Sequence, residues 1–78
     1  MRVRVRLAGN LPQLAGRGDD QFGLDLPDGA TVGEALRTAR LPENLVMLCA
    51  VNGQVQPKDY HLADGQELQV IPAVSGGR

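Results

Sequence analysis

A chain of 78 residues with 42% hydrophobic and 22% charged residues is large enough for one small globular domain. Its net charge of −1 argues against nucleic acid as the main partner, and no apolar run approaches the roughly 20 residues of a membrane-spanning helix. The single cysteine, Cys49, excludes an internal disulfide and is typical of a reducing compartment, so we predict a cytoplasmic protein.

The chain begins with two segments in which apolar and polar residues alternate. Residues 2–8 alternate between arginines and apolar side chains, and residues 21–26 alternate again with Phe22, Leu24 and Leu26 on one face. Alternation with a period of two predicts strands that bury one face. The connecting segment contains glycines, a proline and little periodicity, so we predict a loop there.

The clearest helix signal begins at Thr31. Thr31 and Glu34 have the spacing of a capping box, in which the hydroxyl accepts from the Glu34 amide and the carboxylate reaches back. One face of the helix that follows is apolar: Val32, Ala35, Leu36 and Ala39. Pro42 limits this helix to about ten residues, ending near Arg40. It is the only helix that the sequence predicts.

Three strand signals follow the helix. Residues 45–51 are uninterruptedly apolar and are followed by Asn52-Gly53, which favours a tight hairpin with residues 54–56 as the return strand. Residues 67–71 form the last predicted strand. This order of elements predicts an α+β fold, the ubiquitin-like β-grasp, with a mixed sheet of four to five strands packed on one helix. The first strand is expected to lie antiparallel to the second and parallel to the last, at the sheet centre.

A single helix covers only one face of this sheet, so alternate residues of the apolar run must point to the other face. Either Met47, Cys49 and Val51 or the intervening residues face away from the helix. We predict a partner surface that contains Met47, Cys49 and Val51, joined by Val74, since an uncovered apolar patch usually marks a contact surface. Loops that cover the patch are the alternative.

We divide the chain into a compact domain, residues 1–72, and a flexible C-terminal diglycine tail, residues 73–78. The proline at the boundary ends the last strand because it cannot donate to a ladder. Gly76 and Gly77 lack a Cβ, so they are expected to stay mobile and to thread a channel that excludes larger residues, with Ser75 ahead of them. A frayed terminus with no role is the alternative.

Side chains that could carry catalysis are few and isolated. His61 is the only histidine and has no second ligand near it in the sequence, so we predict no metal site. Cys49 lies among apolar residues and fits a small core residue; a reactive thiol is the alternative, if a charged neighbour lowers its pKa. Ser75 has no base beside it. The sequence therefore predicts a protein that has no catalytic residues of its own and binds no cofactor.

Four stretches resemble the ubiquitin-like sulfur carriers, namely the small subunit of molybdopterin synthase and the sulfur carrier of thiamine biosynthesis. They are residues 26–32 (LPDGATV), 51–53 (VNG), 62–65 (LADG) and 71–77 (IPAVSGG). Each stretch is short, but the resemblance covers nearly the whole chain in order, and a terminal diglycine after a proline-ended strand is fairly specific. The long first loop and the approach to the glycines are nearer to the molybdopterin subunit.

The resemblance implies a function for the tail. In this family an ATP-dependent activating enzyme adenylates the terminal glycine carboxylate, and a sulfur donor then displaces AMP and leaves a thiocarboxylate. Gly77 would carry the thiocarboxylate, and Gly76 would give the tail the freedom to enter the enzyme. The implied partners are the activating enzyme, which uses the ATP, the sulfur donor, and a large synthase subunit or thiazole synthase.

Arg78 departs from the family pattern, in which the mature chain ends in Gly-Gly. Either a protease removes Arg78, or the tail has lost the chemistry, or the residue is an addition to the natural chain. We predict a sulfur carrier that serves molybdenum or tungsten pterin cofactor synthesis. The alternatives are a carrier for the thiamine thiazole or another metabolite, a modifier joined through Gly77 to substrate lysines, and an interaction module with an inert tail.

Overall fold

The computed structural model of the chain describes residues 1–14, 16 and 18–72. Its strands are β1 (Arg2–Leu7), β2 (Gln21–Asp25), β3 (Val46–Val51), β4 (Gln54–Gln56) and β5 (Glu67–Pro72). Its helices are α1 (Leu11–Leu14) and α2 (Val32–Thr38), and a 3₁₀ turn spans Glu43–Leu45. No helix in these described ranges has the length and apolar character needed to cross a membrane.

The five strands form one mixed sheet in the order β2-β1-β5-β3-β4. β1 lies antiparallel to β2, where Val5 pairs with Phe22, and parallel to β5, where Val5 pairs with Leu68. β3 lies antiparallel to both β5 and β4. The predicted mixed β-grasp sheet is therefore confirmed, as is the parallel pairing of the first and last strands in its interior.

The core lies between one face of the sheet and α2, and aliphatic side chains dominate it. Val3, Val5 and Leu7 of β1 are at most 5% exposed, whereas the arginines between them face solvent. Val32 and Leu36 of α2 are both 0% exposed and belong to the same cluster. Among the described residues no polar or charged residue is buried, so no side chain in the core needs a hydrogen-bond partner to offset the loss of water.

Helix α2 begins with the predicted capping box. The amide of Glu34 donates to Thr31 Oγ1 at 3.2 Å, and the amide of Thr31 donates to Glu34 Oε1 at 2.8 Å. The two side chains therefore satisfy two backbone donors that the first helical turn would otherwise leave unpaired.

Replacing Thr31 with alanine is expected to lower the free energy of unfolding by about 0.5–2 kcal/mol, because the amide of Glu34 loses its acceptor. Thr38→Ala is the matched control, since Thr38 is exposed in the last turn of the same helix and does not cap it. Chemical denaturation of the two variants measures the difference. Equal stability of the two variants would show that the capping box does not contribute.

The helix ends earlier than predicted because the backbone reverses at Arg40, two residues before Pro42. Arg40 has a left-handed φ of 61°, and its amide donates to the carbonyl oxygen of Arg37 at 3.0 Å. The amide of Leu41 donates to the carbonyl oxygen of Leu36, also at 3.0 Å. These two bonds form a Schellman motif, which usually places glycine where this chain has arginine.

The segment between β1 and β2 is not entirely a loop, so the prediction of a single helix was wrong. Leu11–Leu14 forms one helical turn, and Leu11 is 0% exposed within the core. The hydrophobic burial of Leu11 holds the turn against the sheet. One turn is too short to show a helical period, so the pattern of apolar residues could not reveal it.

Strand β3 turns Cys49 and Val51 toward α2, so their assignment to a partner surface was wrong. The pairing register with β5 shifts between Val46 and Leu48, and after this irregularity Cys49 and Val51 join Val46 in the core. Cys49 is 2% exposed and Val51 is 3% exposed. Neither side chain is available to a partner while the domain is folded.

Candidate functional site

The strand that precedes the tail in the sequence, β5, is the central strand of the sheet. Val70 of β5 pairs with Leu7 of β1 on one side and with Cys49 of β3 on the other. Pro72, the last residue of β5, pairs with Val46 and is half-buried. Both neighbouring strands therefore hold the strand that leads into the tail, and this fixes the point from which the tail starts.

The tail residues that carry the predicted chemistry lie outside the described residues. These residues are Val74, Ser75, Gly76, Gly77 and Arg78. The structure also does not describe the side chain of Met47, which is the remaining member of the predicted partner surface. The roles assigned to them from the sequence stay predictions, as does the division of the chain after residue 72.

An apolar strip, formed by Leu48, Val55 and Ile71, lies on the sheet face that points away from the core. Leu48 pairs with Ile71, and Val55 pairs with Ala50, which brings β4, β3 and β5 together on this face. Val55 is 65% exposed and is the only large apolar side chain classed as exposed among the described residues. Ile71 immediately precedes the last residue of β5, so the apolar strip adjoins the base of the tail.

A row of arginines on β1 occupies the other half of the same face. Arg2 Nη1 lies 2.7 Å from Asp25 Oδ1, and Arg6 Nη1 lies 3.4 Å from Glu67 Oε2. All four side chains are largely exposed, so these ion pairs add little stability. Arg4, between the two pairs, has no acidic partner within the described residues. The uncovered face is therefore apolar toward β4 and charged toward β2.

Cys49 and His61 are residue types that often take part in catalysis, but here each contributes to the folded structure. Burial raises the pKa of the Cys49 thiol, and the positive charge of Lys58 opposes that shift only in part. The exposed ring of His61 donates from Nδ1 to the carbonyl oxygen of Gly29 at 2.7 Å and joins two loops. Within the described ranges no three His, Cys, Asp or Glu side chains are placed to hold a metal ion.

The arrangement defines a class of protein: a ubiquitin-like β-grasp domain whose central strand carries a C-terminal tail. The ThiS family model matches residues 5–77, and the chain belongs to the ThiS family. The predicted relationship to the ubiquitin-like sulfur carriers is thereby confirmed. The matched region includes both terminal glycines and stops immediately before Arg78.

Solved structures with the same fold include a molybdopterin converting factor subunit and the protein SAMP1. The putative molybdopterin converting factor subunit 1 from Pyrococcus furiosus is 28% identical, with a TM-score of 0.74 over 95% of this chain and 99% of that chain. SAMP1 from Haloferax volcanii is 25% identical, with a TM-score of 0.78 over 99% of this chain and 100% of that chain.

A third similar structure contains two subunits. It is the complex of subunits 1 and 2 of the molybdopterin-converting factor from Helicobacter pylori, and the matched chain is 23% identical to this one. The TM-score is 0.65 over 99% of this chain and 100% of that chain. At this level of identity the similarity shows a shared fold.

The sequence analysis assigned the partner surface to the wrong set of β3 residues; the alternative that it left open contains Leu48, but Val55 and Ile71 were not included. Val55 stands between Gln54 and Gln56, and this alternation indicates that its side chain and theirs point to opposite faces. The face that Leu48 occupies depends on the register shift in β3, which no local pattern reveals.

Proposed function

We propose that this protein is a sulfur carrier whose terminal glycine, Gly77, is adenylated and converted to a thiocarboxylate after removal of Arg78. The observation that carries the proposal is the family match through Gly77 in a chain whose central strand leads directly into the tail. The carrier supplies a reachable carboxylate and a surface for its partners. The activating enzyme supplies the catalytic groups.

The proposed chemistry explains why the terminus must be activated. A carboxylate is a poor acyl donor to a sulfur nucleophile because its oxygen is a poor leaving group. An oxygen of the Gly77 carboxylate attacks the α-phosphate of ATP, releases pyrophosphate and forms an acyl adenylate. A sulfur nucleophile then attacks the carbonyl carbon, and AMP leaves with the bonding electron pair. With sulfide as the donor, these two steps produce the thiocarboxylate without an oxidant or a reductant.

The synthesis of a molybdenum or tungsten pterin cofactor is the pathway that we favour. The Pyrococcus furiosus protein at 28% identity is described as a putative molybdopterin converting factor subunit, and the Helicobacter pylori structure pairs such a subunit with a second one. These similarities support a large synthase subunit as the partner that receives the sulfur. A thiazole synthase of thiamine biosynthesis is the alternative recipient, because the family model that matches is that of ThiS.

Protein modification is a second candidate function. The similarity to SAMP1, which a further structure from the same organism names as a small archaeal modifier protein, favours it. Both functions begin with the same acyl adenylate and differ in the nucleophile that attacks it. A sulfur nucleophile gives the thiocarboxylate, whereas a lysine amine gives an isopeptide bond.

The apolar strip is the surface through which we expect the activating enzyme to hold the carrier. Leu48, Val55 and Ile71 form the apolar half of the uncovered face and adjoin the base of the tail. A partner that covers this half removes apolar area from water and at the same time aligns β5 with its own active site. The strip therefore combines binding with positioning of the terminus.

Val55→Glu is expected to lower kcat/KM for sulfur loading by about tenfold or more, because a carboxylate would have to be desolvated within the docked surface. The fold should be little affected, since Val55 is 65% exposed. Gln54→Glu is the matched control: it introduces the same charge on the adjacent residue, which pairs with Val51 and points to the other face. Equal loading of the two variants would exclude the apolar strip from docking.

The state of the terminus in cells tests the function directly. We expect the protein purified from its own cells under mild conditions to end at Gly77, and a fraction of it to be heavier by the difference between one sulfur and one oxygen atom. Intact mass spectrometry with sequencing of the C-terminal peptide measures both. Protein that retains Arg78 throughout, with no sulfur at its terminus, would contradict the proposal.

A further inference from the structure

A groove of about 450 Å³ lies between β2 and the end of α2, and we call it the edge groove. The strand contributes Phe22, Gly23 and Leu24 to its lining, and the helix end contributes Thr38, Ala39 and Arg40. Phe22 and Leu24 are half-buried and pack against the core, so the strand side of the groove is apolar. Arg40 is the only charged residue among its described lining residues.

β2 is an edge strand, and half of its backbone groups point away from the sheet. The amide of Leu26 donates to the carbonyl oxygen of Met1, and the amide of Leu7 donates to that of Asp20, both at 2.8 Å. Hydrogen-bonded pairs alternate along an antiparallel ladder, so the amide and carbonyl of Gly23 point away from β1. Among the described strands, β1 is the only neighbour of β2. Backbone donors and acceptors without a partner strand therefore border the edge groove.

This edge has few of the features that usually prevent a further strand from pairing. β2 is five residues long, whereas β4, at the opposite edge of the sheet, has three. β2 contains neither proline nor lysine, and Gly23 at its centre has no side chain. An edge of this kind is a template for an additional strand.

Arg40 supplies a positive charge to the groove from a backbone conformation that disfavours arginine. Its φ of 61° is left-handed, and this conformation brings Cβ too close to the following carbonyl oxygen, a contact that glycine avoids. The Arg40 side chain is exposed and forms no ion pair with a described residue. Neither the helix end nor an ion pair within the described chain therefore accounts for arginine at this position.

We propose that the edge groove binds an extended segment of a partner protein, which pairs with β2 as an additional strand and places a carboxylate beside Arg40. Hydrogen bonds to the outer edge of β2 supply affinity, and alternate side chains of the segment enter the groove. The apolar surface of Phe22 and Leu24 selects small apolar side chains there, and the charge of Arg40 selects aspartate or glutamate. The proposal does not depend on the activation of Gly77.

The edge groove and the apolar strip are separate surfaces. The apolar strip lies on β4, β3 and β5, on the face that points away from the core. The edge groove lies beside β2, at the other end of the strand order, on the side of α2. A partner in the edge groove therefore leaves the apolar strip available to the activating enzyme.

The probe is a capped peptide of sequence ETVTVTE, because its valines and glutamates lie on one face when it is extended. The peptide is titrated into protein labelled with nitrogen-15. We expect a dissociation constant below about 1 mM, with amide chemical-shift changes concentrated at residues 21–25 and 38–40. Hydrogen exchange of the Gly23 amide is expected to slow, because that amide gains an acceptor.

Arg40→Gly separates the role of the side chain in binding from its effect on the fold. Glycine adopts the left-handed conformation without the steric contact, so the melting temperature is expected to rise by about 4–8 °C. Binding of ETVTVTE is expected to weaken about two- to fivefold, because the carboxylate loses its partner. Arg40→Gln removes the charge and keeps a side chain, and should weaken binding by the same factor.

The peptide QTVTVTQ is the matched control, since it lacks only the carboxylates. It is expected to bind the wild type and both variants equally, and equal binding of the two peptides by the wild type would overturn the assignment of Arg40. A lower melting temperature for Arg40→Gly would show that arginine holds the helix end, which would also overturn it.

Three further results would overturn the edge groove as a peptide site. Shift changes centred on Leu48 and Val55 would place the peptide on the apolar strip, and sodium acetate giving the same changes as the peptide would show an anion site only. Changes at residues 21–25 on dilution of the protein alone would assign the groove to a second copy of the chain. The absence of any change at about 1 mM peptide would exclude docking of such a segment.

Discussion

A chain that ends at Gly77 is expected to be adenylated by its activating enzyme, whereas the chain that ends at Arg78 is not. The additional residue moves the carboxylate about 3.3–3.6 Å along an extended chain. A displacement of about 1 Å can already cost roughly a hundredfold in rate, because the reacting atoms must be aligned. The arginine side chain would also obstruct a channel that admits glycine.

To test this, both chains are incubated with the activating enzyme, ATP and sulfide. Intact mass spectrometry then detects the replacement of oxygen by sulfur at the C-terminus. Arg78→Gly separates the two causes, because it keeps the extra length and removes the bulk. Loading of this variant would assign the block to the side chain, and its failure would assign the block to length. Equal loading of the Gly77 and Arg78 chains would refute the need for processing. Failure of both with an enzyme shown to be active would favour an interaction module.

Leu68→Ala is expected to lower the free energy of unfolding by about 2–5 kcal/mol, the largest change in stability that we predict. Leu68 is 1% exposed on β5, where it pairs with Val5 on one side and with Val51 on the other. Truncation would leave a cavity in the core between the sheet and α2, which the surrounding side chains can fill only in part. Denaturant unfolding monitored by circular dichroism measures the loss.

The control for this substitution is Val55→Ala, which also shortens an apolar side chain in the sheet. Val55 is 65% exposed, so its truncation should leave the free energy of unfolding within about 0.5 kcal/mol of the wild type. A loss below about 1 kcal/mol for Leu68→Ala would mean that the central strand is not packed as described.

Elements with a sustained local pattern could be predicted from the sequence. The alternation around Val3 and Val5 identified a strand with one buried face, and the spacing of Thr31 and Glu34 identified the start of α2. The strand was identified from the alternation of buried and exposed residues, and the helix start from an interaction between two residues three positions apart. Such patterns do not depend on which distant segment completes the core.

Features that depend on distant contacts could not be predicted in the same way. Leu11 is buried because its segment packs against the sheet, and the end of α2 depends on a left-handed arginine at a position where glycine is usual. The apolar run contains no polar residue to show which face of β3 meets α2, so the wrong residues were placed on the partner surface. The terminal glycines were identified from the sequence, and the family match supports their importance without testing their chemistry.

The central position of β5 also determines how the body responds when its tail is pulled. Force directed along the tail acts on β5 in shear against β1 and β3 together, because β5 lies between them in the sheet. Hydrogen bonds along both edges share that load, whereas an edge strand could peel away from its single neighbour one bond at a time. A partner that draws the tail into a narrow channel can therefore hold the carrier under tension without unravelling it from its C-terminal strand.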